Sequence, residues 1–181
     1  LAQTSVDKSL MKAKYLLKKG DFFEAQTIYQ SILLGFPKNV RAKRALEELQ
    51  IKLQNNKSVS APEKTINQLI NLYNKGSMLE LVQVSNSVTK IFANDYIVWN
   101  LNGAANKALG RISDALKSFN KVIDLNPSFA DGYNNLGVVY RELDDLDNAL
   151  EYFNKAIALK PNFAFAYNNR GLIFKDKGKN D

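Results

Sequence analysis

The chain has 181 residues, 45% of them hydrophobic and 24% charged, with a formal net charge of +7 at pH 7. That composition is enough to bury a core and excludes a disordered segment. There is no cysteine and no histidine, which removes disulfides, thiolate nucleophiles, His-based triads and the usual zinc sites. No apolar run approaches the ~20 residues of a membrane helix, so membrane insertion is not expected. The opening LAQTSVDKSLMKAK has no signal core. A cytoplasmic setting is expected, and a periplasmic one fits a cysteine-free chain equally well.

The first helix, up to Gly20, crowds Lys8, Lys12, Lys14, Lys18 and Lys19. The basic excess lies in the first third, with +6 over residues 1–60 and +1 over 61–181. Such a cluster is either an electrostatic site for an acidic partner or a solvated helix face. No aromatic interleaving of the single-strand-binding kind accompanies it, so no nucleic-acid partner is expected. DFFE at 21–24 offers a capping pattern for a second helix, and Pro37 ends that helix. Residues 40–54 form a third helix with Ala42, Ala45, Leu46, Leu49 and Leu53 on one side. NNKSVSAP at 55–62 is read as a linker.

Beyond the linker, helix pairs return at a fixed step. Gly76 and Gly110 mark turns, Asp144 fills the equivalent place and Gly178 stands in the last. Pro127 and Pro161 follow Gly110 and Asp144 at the spacing that separates Pro37 from Gly20, and Ala93 holds that place after Gly76. YNNLGVVY at 133–140 returns as YNNRGLIF at 167–174, and WNLNGAAN stands one step earlier at 99–106. Leu146, Ala149, Leu150, Phe153, Ala156 and Ile157 form one apolar stripe, and Ile112, Ala115, Leu116, Phe119, Val122 and Ile123 repeat it. A long fixed period is the sign of a repeat architecture.

These residues resemble the tetratricopeptide-repeat (TPR) family, a 34-residue helix–turn–helix. Unit 130–163 carries Tyr133, Leu136, Gly137, Tyr140, Ala149, Phe153, Ala156 and Pro161. Unit 96–129 carries Trp99, Gly103, Ala115, Phe119 and Pro127, with Asn102 in the Leu place. Unit 6–39 carries Ala13, Ala25, Tyr29 and Pro37. Unit 62–95 departs most, with Leu69 in the Gly place and Ser85 in the aromatic place. The resemblance implies an all-α fold: a right-handed TPR α-solenoid of antiparallel helix pairs, about four repeats plus extra helices. The expected domains are 1–54 (one repeat plus a capping helix), the 55–62 linker, and 63–181 (three repeats plus the first helix of a further one). The last segment is expected to leave an open face. That implies the N-terminal part of a longer protein, of the kind seen in larger bacterial proteins, or self-association.

In this family the first helices line a concave groove, which implies Asn100, Lys107, Asn134, Asn135, Arg141, Asn168, Asn169 and Lys175 as peptide-binding residues. Asn offers one acceptor and two donors, so a row of them suits a peptide backbone. The opposing reading is that these Asn are solvated or bond neighbouring helices. Lys107 and Arg141 fit two places of a carboxylate clamp of the chaperone-binding type, whose other members are absent. The aromatics Trp99, Tyr133, Tyr140, Phe153 and Tyr167 are read as packing. Asp144, Asp145 and Asp147 are read as a helix start. No catalytic residue, metal site or cofactor is expected. The expected function is a protein-interaction scaffold. The alternative is a recruiting or oligomerisation arm of a larger enzyme of glycosyltransferase, sulfotransferase or oxygenase type.

Overall fold

The computed structural model describes residues 2–55 and 60–178, so residues 56–59 of the expected linker lie outside the described residues. The described residues form ten α-helices and no strand. In chain order these are α1 Ala2–Lys18, α2 Phe22–Gly35, α3 Val40–Asn55, α4 Glu63–Asn74, α5 Met78–Ile91, α6 Tyr96–Ala108, α7 Ile112–Leu125, α8 Ala130–Glu142, α9 Leu146–Leu159 and α10 Ala164–Lys177. The helices group into two compact units, residues 1–67 with 87–94, and residues 68–86 with 95–181.

The turn within each helix pair is one hydrogen-bonded motif used four times. Gly20 N–H donates to the Leu17 carbonyl while Asp21 N–H reaches back to Leu16. Gly76 and Ser77, Gly110 and Arg111, and Asp144 and Asp145 repeat that double bond. The motif satisfies helix-end carbonyls and requires a left-handed residue at its centre. Gly20, Gly76 and Gly110 supply it at φ 82°, 73° and 70°, and Asp144 adopts it at φ 60°. Asp is among the few side chains that visit this region. Gly178 differs, at φ −72°. The prolines act as expected: α2, α7 and α9 each end two residues before Pro37, Pro127 and Pro161.

The DFFE cap does not form. Asp21 makes no side-chain cap bond, and Glu24 is drawn to Lys64 at 3.1 Å and Lys12 at 3.8 Å instead. Side-chain caps occur at Asp95, which accepts from Ile97 and Val98 N–H, and at Asp145, which accepts from Asn148 N–H. Each satisfies an otherwise free helix-start donor. Asp144 thus makes the turn and Asp145 the cap, while Asp147, in the first turn of α9, pairs with Lys177 of α10.

In the first unit one core joins Val6, Leu10, Ala13 and Leu16 of α1, Ala25, Tyr29 and Ile32 of α2, and Ala42, Leu49 and Leu53 of α3. All five apolar positions expected on α3 face this core. Tyr29 is buried, and its hydroxyl has no hydrogen-bond partner among the described residues. Burial, and secondly the charge of Glu48, push its phenol above the ordinary value of 10.0.

In the second unit the helices of a pair interlock by size. A Cβ at Gly103 would lie 2.6 Å from the Phe119 ring, and one at Gly137 would lie 2.6 Å from the Phe153 ring. Each glycine of a first helix is therefore the seat for a buried phenylalanine of the second helix, whose burial contributes about 1.5–3 kcal/mol. Where Asn102 replaces Leu, the packing is polar. Its Nδ2 donates to Ser85 Oγ at 2.7 Å and Asn86 Oδ1 at 2.9 Å, and its Oδ1 accepts from Ser118 Oγ and Asn106 Nδ2. One step on, Leu136 sits in an apolar cluster with Phe119 and Tyr152. Ser85 in the aromatic place and Asn102 in the Leu place thus compensate for each other.

Gly137→Ala is expected to destabilise the chain by ~1–3 kcal/mol through overpacking against Phe153. Gly171→Ala, whose Cβ would meet nothing within 4 Å, should stabilise α10 by about 0.5–1 kcal/mol. Urea unfolding of both variants checks the contrast. Because the Tyr29 phenol is held above 10.0, its contribution is complete below pH 10 and is lost as pH rises beyond it. Tyr29→Phe should leave neutral-pH stability unchanged or higher and flatten the loss above pH 10, measured by thermal unfolding across that range.

Candidate functional site

The expected site residues lie on α6, α8 and α10, the first helices of their pairs in the second unit. The structure ties them together along one step. Asn135 Nδ2 of α8 donates to Asn100 Oδ1 of α6 at 2.9 Å, and Asn169 Nδ2 of α10 donates to Asn134 Oδ1 of α8 at 3.0 Å. Lys107 Nζ reaches Glu142 at 3.1 Å. Arg141 gives Asp176 Oδ2 both Nε at 2.9 Å and Nη2 at 2.8 Å. All four links span 35 residues. Asn100, Lys107, Asn134, Asn135, Arg141 and Asn169 are half-buried. Asn168 and Lys175, one step beyond Asn134 and Arg141, are exposed and have no such link among the described residues.

The Asn therefore bond neighbouring helices, one of the two readings open from sequence. The bonds do not exhaust them. Asn135 and Asn169 each keep a second N–H and a carbonyl oxygen, and Asn100 and Asn134 keep both donors. Lys107 and Arg141 are less available, since each already faces a carboxylate. Partly exposed pairs of this kind contribute ~0–1 kcal/mol each. Glu142 and Asp176 were missed by sequence reasoning, although an acid recurs there at the repeat step. Apolar side chains flank this face, with Ile70, Tyr73 and Ile97 exposed and Phe165 74% exposed.

The aromatics are mostly packing. Phe153 is fully buried. Tyr140 stacks on Tyr152 with centroids 5.2 Å apart and planes at 11°. Burial, then the Tyr140 phenol, hold the Tyr152 hydroxyl above its ordinary value. Tyr167 is exposed, with Arg170 over its ring at 5.1 Å.

The first unit has a groove of its own between α1 and α3, about 410 Å³, lined in part by Asp7, Met11, Lys14, Arg41, Arg44 and Glu48. Its cations are largely matched: Arg41 pairs with Asp7 and Arg44 with Glu48. On α1, Lys12 faces Glu24 at 3.8 Å and Lys19 lies over the Tyr15 ring. Among the described residues no group of three or more His, Cys, Asp or Glu stands where it could hold a metal ion. No helix among them is long and apolar enough to cross a membrane.

Comparisons with known proteins agree with the fold of paired helices. Residues 130–163 match a family model described as tetratricopeptide repeat, and residues 103–144 match one described as TPR repeat. No curated protein matches the sequence. Among solved structures, the chain is similar to MamA at 24% identity and TM-score 0.57, over 92% of this chain and 84% of that one. It is similar to YrrB, titled a TPR protein with an unusual peptide-binding site, at 18% identity and TM-score 0.57, over 90% of each chain. It is also similar to the first TPR of Spaghetti (RPAP3) bound to the HSP90 peptide SRMEEVD. That match has 18% identity and TM-score 0.60, over 63% of this chain and 90% of that one.

A double-mutant cycle on Asn100→Ala and Asn135→Ala should give a coupling of about 0.5–1.5 kcal/mol in unfolding free energy. The same cycle on Asn100 and Asn169, which share no bond, should give a value near zero.

Proposed function

Because this chain is a tetratricopeptide-repeat protein, we propose that it is a non-catalytic interaction scaffold holding a polypeptide segment of a partner on the face of α6, α8 and α10. The observation that carries the reading is the stepped row of amides at Asn100, Asn134, Asn135 and Asn169, fixed by their mutual bonds with donors to spare. Held amides lose little freedom when a ligand arrives, which favours binding. They pair with a main chain whatever its side chains are. Ile97 and Phe165 beside them supply apolar anchors for alternate side chains of the segment. Arg141, Asn168 and Lys175 complete the face.

The neighbours support a peptide as the class of ligand, since one is titled for its peptide-binding site and another holds an acidic peptide. The acidic C-terminal type is disfavoured here. Lys107 and Arg141, which would meet a terminal carboxylate, are engaged by Glu142 and Asp176. The segment is therefore an extended one of low charge, read mainly through its backbone.

A library of synthetic twelve-residue peptides, screened on the immobilised chain, supplies the probe. Captured peptides should lose about tenfold in affinity when Asn135 and Asn169 are both changed to Ala, by fluorescence anisotropy. They should outcompete SRMEEVD. Unchanged affinity in that variant, shown by circular dichroism to be folded at the assay temperature, would remove the proposal.

A further inference from the structure

The turn between α2 and α3 carries three large apolar side chains outward, at places the other repeats fill differently. Ile32 and Leu33 close α2 against the first unit's core, and Ala42, Ala45 and Leu46 do so for α3. Between them Leu34 is 85% exposed, Phe36 45% and Val40 75%. At the same distance from the turn residue, Leu34 is matched by Lys90, Asp124 and Ala158. Phe36 is matched by the buried Phe92 and by Asn126 and Lys160. Val40 is matched by Ala130 and Ala164, and by Tyr96, whose ring packs edge-on against Phe129. The turn itself is held in place. Phe36 N–H donates to the Ile32 carbonyl and Asn39 N–H to the Phe36 carbonyl, while Asn39 Oδ1 accepts from Ala42 N–H at 3.0 Å.

Behind these side chains stands a collar of one charge. Residues 25–46 contain Lys38, Arg41, Lys43 and Arg44 and no Asp or Glu. Arg41 is paired with Asp7 of α1, and Arg44 with Glu48 further along α3. Lys38 and Lys43 are exposed and face no acid among the described residues. Val40 and Lys43 share one side of α3, so a cation stands close behind an apolar tip residue.

We propose that this turn docks on an anionic lipid surface. Leu34, Phe36 and Val40 enter the boundary between headgroups and acyl chains, Lys38 and Lys43 stay among the phosphates, and no helix crosses the bilayer. Exposed apolar side chains grouped in this way mark an interaction surface. Cations collared behind them match a bilayer in depth as well as in charge, since its outer layer is anionic and its interior apolar. Three apolar side chains on a projecting turn suit a fluid layer, where an acidic protein would need a preformed pocket for each. The surface shares no residue with the peptide face of α6, α8 and α10, so it stands or falls apart from that reading.

The test is co-sedimentation of the chain with lipid vesicles. Vesicles of phosphatidylcholine with about one-third phosphatidylglycerol should bind it saturably, and vesicles of phosphatidylcholine alone should bind little. Lys38→Gln with Lys43→Gln should weaken partitioning about thirtyfold. Leu34→Ser with Val40→Ser, which keeps every charge, should weaken it about tenfold. All four positions are exposed, and circular dichroism checks that each variant is folded at the assay temperature. No binding, equal binding to the neutral vesicles, or binding indifferent to Leu34→Ser with Val40→Ser overturns the proposal. So does release from the vesicles by soluble poly-glutamate at equal charge, because the occupant would then be an acidic protein segment.

Discussion

The fit of a phenylalanine ring into a glycine seat is the constraint on which the second unit depends. Gly103 with Phe119, and Gly137 with Phe153, bring the ring so close to the facing backbone that not even a Cβ fits beneath it. That approach fixes the angle of the pair, and the angle decides where the remaining faces point. Leu136 meets Phe119 and Tyr152 because the seat has placed Phe119 there. The stepped links among first helices follow from the same placement, since Asn135 reaches Asn100 only when successive pairs stand one helix width apart. Packing positions the pairs, and polar bonds then select the register.

The two kinds of contact have different physical character. Ring seats are dry, insensitive to salt and costly to disturb. The Lys107–Glu142 and Arg141–Asp176 pairs are half-exposed, weak and screened by salt. The face of α6, α8 and α10 is therefore a rigid scaffold beneath a softer polar layer. Most of the positive charge lies elsewhere, in the first unit, where Arg41 and Arg44 have acids of their own.

The architecture was legible in the sequence because its cause is local and periodic. Small residues, prolines and turn glycines each leave a mark every 34 positions, and Asp144 could be placed in a glycine role by spacing alone. The third helix showed in the apolar spacing of Ala42, Leu49 and Leu53. What stayed hidden depends on rotamers and on choices between partners. Asp21 and Glu24 spell a cap, but Lys64 and Lys12 compete for Glu24 and win. The Asn row could be named at Asn100, Asn134, Asn135 and Asn169. Whether those amides faced water, a ligand or one another depended on distances that no spacing supplies. The carboxylates Glu142 and Asp176 were visible as letters and invisible as partners.

The polar cluster around Asn102 has a consequence for how such a chain can evolve. Ser85, Asn102 and Ser118 occupy the places that Phe119, Leu136 and Tyr152 occupy one step later. Each trio draws its members from three successive helices, so neither belongs to a single repeat. Exchanging the order of repeats would set an amide against a phenyl ring at both new seams. These units look alike, but they are not interchangeable modules: each boundary carries its own key, and recombination could reorder them only by changing both sides at once.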